Sequence, residues 1–249
     1  MSGSPSALPF PGGTSVSRLR VYDWPSPDGA GLAGSGTPHL HTASAEGYVV
    51  LGGAGSVQTL SRAGFTETAL APGAVVWFTP GVVHRLVNDG DLDLLVVMSN
   101  AGLPEAGDAV LTLPSDVLAD AARYREAVTL PDQDPTSPDD PTVAAAARVR
   151  RDLALDGWAA LRELVEREGG GALADLHTAA ARLVADHVPR WQEIVRDGVE
   201  QSTAATVRAL AGLVRGDGSH LASATVASTG GLPGPQRYGM CGRLQTWEL

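Results

Sequence analysis

The sequence predicts a mainly β protein, with an antiparallel β-domain followed by an α-helical region. Between about residues 18 and 99, short apolar segments alternate with Gly, Pro, Asn or Asp every eight to twelve residues, which is typical of an antiparallel sandwich or barrel. After Pro114 the composition changes to Ala, Leu, Arg and Glu, with apolar residues at helical spacing. An acidic, proline-rich stretch at residues 130–142 separates the two regions and predicts a linker.

These changes in composition divide the chain into five segments. They are a loose Pro/Gly/Ser-rich lead-in (1–15), a β-domain (16–113), a helix with the acidic linker (114–142), a helical region (143–216) and a C-terminal segment (217–249). We expect Ser115 or Asp116 to cap the first helix and Pro189 to open the last one. The C-terminal "RLQTWEL" is strand-like, so the last segment is expected to return to the β-domain as an edge strand.

Composition limits the classes of function. The 249 residues are 43% hydrophobic, which is enough for a sizeable core. There is no lysine, and 18 arginines face 28 acidic residues for a formal net charge of −10, which disfavours nucleic acid or an anionic membrane as a partner. Cys241 is the only cysteine, so no internal disulfide forms. Without an evident signal peptide or membrane-spanning run, we expect a cytoplasmic protein with a small-molecule partner.

The segment "GTPHLHTASAEGYVVLGG", residues 36–53, holds two histidines one residue apart. His39 and His41 share a face only on a strand, where their Cα atoms lie roughly 6 to 7 Å apart at a rise of about 3.3 Å per residue. Glu46 opens the next predicted strand, and Tyr48 lies on the same face of it. Two interpretations stay open at this point, a metal site and a pair of solvated histidines at the rim of the sheet.

A second segment, "APGAVVWFTPGVVHRLVN" at residues 71–88, supplies a third histidine. Gly81 predicts a tight turn that leads His84 onto a new strand. Three imidazoles and one carboxylate are donors suited to a borderline divalent metal ion. Asn88 is interpreted as a hydrogen-bonding residue of the strand. Arg85 alternates with His84 and is therefore expected to point away from the site, as a surface charge.

The two segments resemble the two sequence motifs of the cupin superfamily. The first motif is matched by His39, His41, Glu46 and Gly53, and the second by Gly73, Gly81, His84 and Asn88. Two turn positions depart from the pattern: Ala33 replaces a glycine, and the proline of the second motif is shifted to Pro80. The resemblance implies a double-stranded β-helix (jelly-roll) barrel over residues 16–113, and His39, His41, Glu46 and His84 as ligands of one divalent metal ion.

The resemblance leaves three classes of function open. The first is a dioxygenase-type oxidoreductase acting on a small oxygenated substrate, with Fe or Mn favoured and Zn, Ni or Cu allowed. The second is an isomerase, lyase or decarboxylase that uses the metal as a Lewis acid, and the third is a sensing or binding module. Glu46 and Tyr48 are the candidates for general acid or general base. The helical region could form the interface of a homodimer. His177, His187 and His220 are expected to be structural or solvated.

Overall fold

The computed structural model describes residues 9–132, 134, 137–229 and 236–247. Most of the predicted lead-in, part of the acidic linker and part of the C-terminal segment therefore lie outside the described residues.

The β-domain is built from ten strands, most of them in the first half of the chain. They are β1 (Ser15–Val21), β2 (Gly34–Ser35), β3 (His39–His41), β4 (Glu46–Ser61), β5 (Gly64–Leu70), β6 (Val75–Phe78), β7 (Val83–Met98), β8 (Ala109–Leu111), β9 (Arg237–Tyr238) and β10 (Gly242–Thr246). The main path of the antiparallel sheet is β5-β4-β7-β1-β10-β9, with β2 and β3 on β7, β6 on β4, and β8 on β3. The C-terminal segment thus supplies two strands, and β10 lies inside the sheet rather than at its edge.

Strands β4 and β7 are longer than the sequence predicts. A pair of glycines such as Gly52 and Gly53 is typical of a turn and predicts the end of a strand, but β4 continues through it with register shifts against β7 at three places. Gly53 has a φ of +76°, and a Cβ there would lie 2.2 Å from the carbonyl oxygen of Asp91. The glycines therefore form β-bulges that bend one long strand, so the expectation of a turn was wrong.

The helical region follows strand β8. It consists of α1 (Ser115–Leu118), α2 (Ala121–Val128), α3 (Pro141–Glu168), α4 (Ala174–Val184), α5 (Val188–Val195), a π-helical turn (Arg196–Glu200) and α6 (Gln201–Val214). The one helix expected after Pro114 is two, because the Asp120 carboxylate accepts from the backbone N–H groups of Ala122 and Arg123 and starts α2. Pro189 lies in the first turn of α5, at the start of the last helical stretch.

Helix α3 packs directly on the β-domain. The Thr112 hydroxyl donates to the carbonyl of Ala154 at 2.9 Å, and the Arg151 guanidinium donates to the carbonyls of Trp24 and Ser35 at 2.9 and 3.2 Å. Buried residues of strands and helices form one shared cluster in which Trp158 of α3 is 1% exposed. The two regions therefore share a core rather than standing apart as separate domains.

Arg85 corrects one expectation of the sequence. It is 1% exposed, donates to Gln58 at 2.8 Å, pairs with Asp28 at 2.7 Å, and lies over the Trp158 ring at 5.3 Å. Arg85 does point away from the ligand residues, as the alternation along the strand predicts. The face to which it points is covered by helix α3 and not by solvent. Asn88 has the predicted hydrogen-bonding role, since its amide donates to the carbonyl of Val21 and its oxygen accepts from the N–H of Leu92.

None of the helices in the described part of the chain combines the length and apolar character needed to cross a lipid bilayer.

The contact between α3 and the β-domain generates a stability prediction at Gly157. A Cβ there would lie 2.0 Å from the carbonyl oxygen of Thr112, so Gly157→Ala should push helix and sheet apart. We expect a loss of about 1–3 kcal/mol, equivalent to a lower Tm by several degrees, despite the better helix propensity of alanine. Thermal unfolding followed by circular dichroism measures this change.

Gly198 is the matched control, because its position within the π-helical turn has nothing within 4 Å of an added Cβ. Gly198→Ala should leave the Tm unchanged or slightly raised. An equal loss in both variants would contradict the packing described for α3.

Candidate metal centre

Three histidines and one glutamate converge in the interior of the β-domain. This ligand cluster consists of His39, His41, Glu46 and His84, all of them buried. His39 and His84 are direct partners across β3 and β7, with ring centroids 4.3 Å apart. The Glu46 Oε2 atom lies 3.3 Å from His41 Nε2 and 3.0 Å from His84 Nε2. One nitrogen or oxygen atom from each residue lies within 4.8 Å of all the others, so the four could hold one metal ion.

Local backbone contacts hold these strands in place. His39 and His41 point to the same interior because β3 is extended after Pro38. The turn before β7 is tied to β3, since the Gly81 N–H donates to the carbonyl of His41 at 2.9 Å. Gly81 has a φ of +86°, which glycine adopts without strain. The predicted role of this glycine, to lead His84 onto its strand, agrees with the structure.

The hydrogen bonds at Nδ1 fix the orientation of the three rings. The Nδ1 atoms of His39 and His84 lie 2.9 and 3.2 Å from the carbonyl oxygens of Thr37 and Val82. Because a carbonyl oxygen only accepts, each Nδ1 carries a proton, and in the neutral ring each Nε2 keeps its lone pair. His41 Nδ1 donates to the Asp108 carboxylate at 2.7 Å. A carboxylate behind a histidine in this way orients the ring and strengthens it as a metal ligand.

The surroundings of His84 Nε2 and Glu46 Oε2 indicate whether a metal ion fits the ligand cluster. Neither atom has a hydrogen-bond partner among the described residues, although they lie only 3.0 Å apart and are buried. Two lone-pair atoms at that distance repel unless a cation lies between or beside them. A proton or a divalent ion meets this need, and imidazole nitrogen with carboxylate oxygen is a donor set for borderline metals.

Without an ion, the cluster holds at least one proton. Burial lowers the pKa of His39, and the neighbouring histidines add to this effect. Burial opposes the charge of His41 as well, but the carboxylates of Asp108 and Glu46 outweigh it and raise its pKa to about 10. The pKa of Glu46 is well below its usual range, because His84 and His41 outweigh its burial. A metal ion must therefore displace a proton from His41.

Tyr48 is buried in the β-domain, with its ring centroid 6.4 Å from that of His84. Its side chain is 0% exposed and packs edge-on against Phe78 at 5.6 Å. Its hydroxyl has no hydrogen-bond partner among the described residues. Burial, together with the Glu46 carboxylate, holds the pKa of Tyr48 well above its usual range. The phenol is therefore protonated at neutral pH and can donate a proton but not accept one.

A cavity of about 250 Å³ opens onto the ligand cluster. His39, His41 and Glu46 line one side of it, and the remaining surface is mostly apolar, with Leu19, Val96, Met98, Met240 and Leu244 among the lining residues. Cys241, which the sequence indicates only as a packing residue, also lines the cavity and has its Sγ 3.9 Å from His39 Nδ1. The C-terminal segment thus forms part of the cavity.

Two residues at this site carried no signal in the sequence. Asp108 stands in a turn-rich stretch without a motif, and only the fold brings it behind His41. Arg150 lies on helix α3, more than 100 residues from His41, and lines the cavity. The remaining histidines do not join the cluster: His177 contacts the Gly81 carbonyl at 2.9 Å, and His187 stacks on Trp191.

Comparison with known proteins agrees with this architecture. Residues 31–99 match a family model described as "Cupin domain", so the β-domain is a cupin domain, as the two motifs predict. No curated protein matches the chain.

The solved structures that match part of the chain include bacterial proteins of several kinds. They include the capsular polysaccharide assembling protein CapF from Staphylococcus aureus (21% identity, 34% of this chain and 22% of that chain, TM-score 0.25). WlaRA, a TDP-fucose-3,4-ketoisomerase from Campylobacter jejuni, is similar at 12% identity over 37% of this chain and 64% of that chain (TM-score 0.30). An uncharacterized protein with a double-stranded β-helix domain from Klebsiella pneumoniae is 16% identical over 40% of this chain and 77% of that chain (TM-score 0.28). The chain spans less than two thirds of the length of the first two.

The contact between Asp108 and His41 generates a prediction about metal affinity. Asp108→Asn keeps the shape but removes the charge that orients His41 and raises its basicity. We expect affinity for a divalent ion to fall by about 10- to 100-fold, measured by competition with a chromophoric chelator. Asp93→Asn, which breaks an ion pair with Arg18 on another part of the sheet, is the control and should leave affinity unchanged. Equal losses in both would show that Asp108 acts only through general stability.

Proposed function

We propose that the protein is a mononuclear metalloenzyme of dioxygenase type that acts on a small oxygenated substrate. His39, His41, Glu46 and His84 would hold one Fe or Mn ion. The observation that carries the proposal is the buried pair of lone-pair atoms, Glu46 Oε2 and His84 Nε2, 3.0 Å apart with the histidine protons turned outward. A cation bound by both atoms would remove the repulsion between them.

The donor set and the cavity are consistent with that chemistry. When bound by four protein ligands, an octahedral ion has two further positions at which a small substrate and dioxygen could be activated. A volume of about 250 Å³ corresponds to roughly eight water molecules at about 30 Å³ each, which limits the substrate to a small molecule. The apolar surface of the cavity excludes water from the reacting groups and strengthens electrostatic interactions inside.

Three residues of this chain would have distinct roles in the reaction. Asp108 holds the His41 ring in its ligating orientation. Glu46 is the one carboxylate of the ligand cluster, and in this proposal it takes a proton during turnover. Tyr48 does not line the cavity, so we propose it as a positioning residue whose uncharged ring packs against Phe78 and lies 6.4 Å from the ring of His84. This refines the role expected from its place on the strand.

A non-redox reaction is the second candidate function. Glu46 as a proton acceptor close to the protonated Tyr48 also suits proton transfer next to a carbonyl, as an isomerase, lyase or decarboxylase would need. In that case the metal would serve as a Lewis acid, and Zn, Ni or Cu would suit the same ligands. Dioxygen consumption separates the two reactions.

The predicted effect of Glu46→Gln tests the proposal. The variant keeps the size of the side chain but removes its charge and its ability to take a proton. In protein loaded anaerobically with Fe(II) and checked for occupancy, turnover should fall by roughly 100-fold or more. The measurement is oxygen uptake and product formation with a panel of diketones, hydroxy acids and sugars. Glu67→Gln, a change at a carboxylate on β5 outside the cavity, should leave both unchanged.

The outcomes decide between the candidates. Oxygen uptake with one substrate that disappears in Glu46→Gln supports the dioxygenase. Product without oxygen uptake favours the isomerase or lyase. If no substrate is converted and one of them raises the Tm equally in wild type and Glu46→Gln, the protein is a binding module and the enzyme proposal is wrong.

A further inference from the structure

Helix α3 places a buried positive charge beside the cavity of the ligand cluster. Arg150 lines this cavity and is only 7% exposed. Its two terminal amino groups donate to the backbone carbonyls of Val128 at 3.2 Å and Gly239 at 2.8 Å. Its Nε atom is buried without a hydrogen-bond partner. A guanidinium has five N–H donors, so these contacts leave part of its hydrogen-bonding capacity unused.

Arg150 differs from the other buried arginines in having no carboxylate partner. Arg85 pairs with Asp28 and Arg151 pairs with Asp152, both within 2.7 Å. Among the described residues no acidic side chain lies within 4.0 Å of Arg150, and the ionisable groups that act on it are Tyr22, Tyr124 and Cys241. These three are neutral in their usual protonated forms. A buried charge is costly unless an opposite charge compensates it, so this position calls for an anion.

Two carboxylates line the cavity, Glu46 of the ligand cluster and the exposed Glu105. Glu46 lies against two histidines of that cluster. Glu105 is the carboxylate outside the ligand cluster. Its carboxylate accepts from the backbone N–H of Gly102 at 2.9 Å and forms no ion pair with Arg150. The charge of Arg150 therefore faces a cavity whose nearby surface offers mostly apolar side chains. The chain as a whole has a formal net charge of −10, so this positive site is a local exception.

We propose that Arg150 determines the specificity of the cavity and that the substrate is a small carboxylic acid, with its carboxylate against the Arg150 guanidinium and its other oxygen group toward His39, His41 and Glu46. The second half of this statement rests on the proposed function of the ligand cluster. The first half depends only on the cavity and on the unpaired charge.

A carboxylate fits this position better than a phosphate ester. Two donors of the guanidinium are already used by backbone carbonyls, which leaves enough for one or two oxygens of a planar carboxylate. A cavity of about 250 Å³ must also hold the rest of the substrate. Three neutral imidazoles and one carboxylate would leave a bound divalent ion with a net charge of +1, and Arg150 adds a second positive charge. An acid is thus attracted from both sides.

The proposal also gives helix α3 a part in binding. The β-strands alone surround the ligand cluster, but the positive charge comes from the helix, held where the Arg150 amino group meets the Gly239 carbonyl just before β10. The cavity is therefore complete only when the helical region and the C-terminal segment are both packed on the β-domain.

Binding of two matched probes tests the role of Arg150 without turnover. The probes are 3-methylbutanoate and its neutral amide, 3-methylbutanamide, which have the same shape and differ in charge. Affinities are measured by isothermal titration calorimetry in the metal-free protein and in protein loaded with redox-inactive Zn(II). We expect wild type to bind the acid about tenfold or more tightly than the amide in both forms.

Two variants of Arg150 and one of its neighbour complete the design. Arg150→Met keeps much of the bulk and should remove the preference for the acid while leaving amide binding nearly unchanged. Arg150→Lys keeps the charge and should retain part of the preference. Arg151→Met removes a neighbouring buried arginine that does not line the cavity, so it should lower the Tm but keep the preference.

The results that would contradict the proposal are the following. A preference for the acid that survives in Arg150→Met, with only the Tm lowered, makes Arg150 purely structural. A preference lost equally in Arg151→Met points to a global effect. Failure of wild type to bind the acid more tightly than the amide rejects an acid substrate, and tighter, Arg150-dependent binding of inorganic phosphate replaces the carboxylate with a phosphate group. Because the metal-free measurements need no metal site, the proposed function can fail independently of this inference.

Discussion

The candidate site depends on one register, the antiparallel pairing of His39 on β3 with His84 on β7. A shift of β3 by one residue along β7 would turn the side chains of His39 and His41 to the face opposite that of His84. The turn at Gly81 fixes that register from both sides, since its N–H donates to the His41 carbonyl and its own carbonyl contacts His177 of helix α4. His177, which the sequence predicts to be structural or solvated, thus contacts the turn that leads to His84.

The helical region completes the β-domain rather than standing beside it. Arg85 and Arg151 are both about 1% exposed, and each connects strand or loop atoms to α3 through the Trp158 ring or backbone carbonyls. Such buried charges are tolerated because their carboxylate or carbonyl partners are fixed in the folded state. Arg150 follows the same geometry but lacks the carboxylate, and this difference is what makes it a candidate for binding substrate.

Errors of sequence reasoning concentrate where a distant segment changes the surroundings of a residue. The alternation of His84 and Arg85 correctly places them on opposite faces of β7, but the covering of the second face by α3 follows from packing more than 60 residues away. In the same way, Gly52 and Gly53 have the composition of a turn, and only the close approach of the Asp91 carbonyl shows why the strand bends and continues there.

The sequence by itself determined the cupin barrel and the four residues of the ligand cluster, because strand periodicity and turn glycines act over a few residues and carry His39, His41, Glu46 and His84 to one interior. It also indicated the helical region and the return of the C-terminal segment. Only the tertiary structure decided that Asp108 lies behind His41 and that Arg150 faces the cavity. Asp108 is 67 residues from His41, and Arg150 is more than 100 residues from it. No local sequence pattern predicts such proximity, because it results from the packing of whole helices and strands.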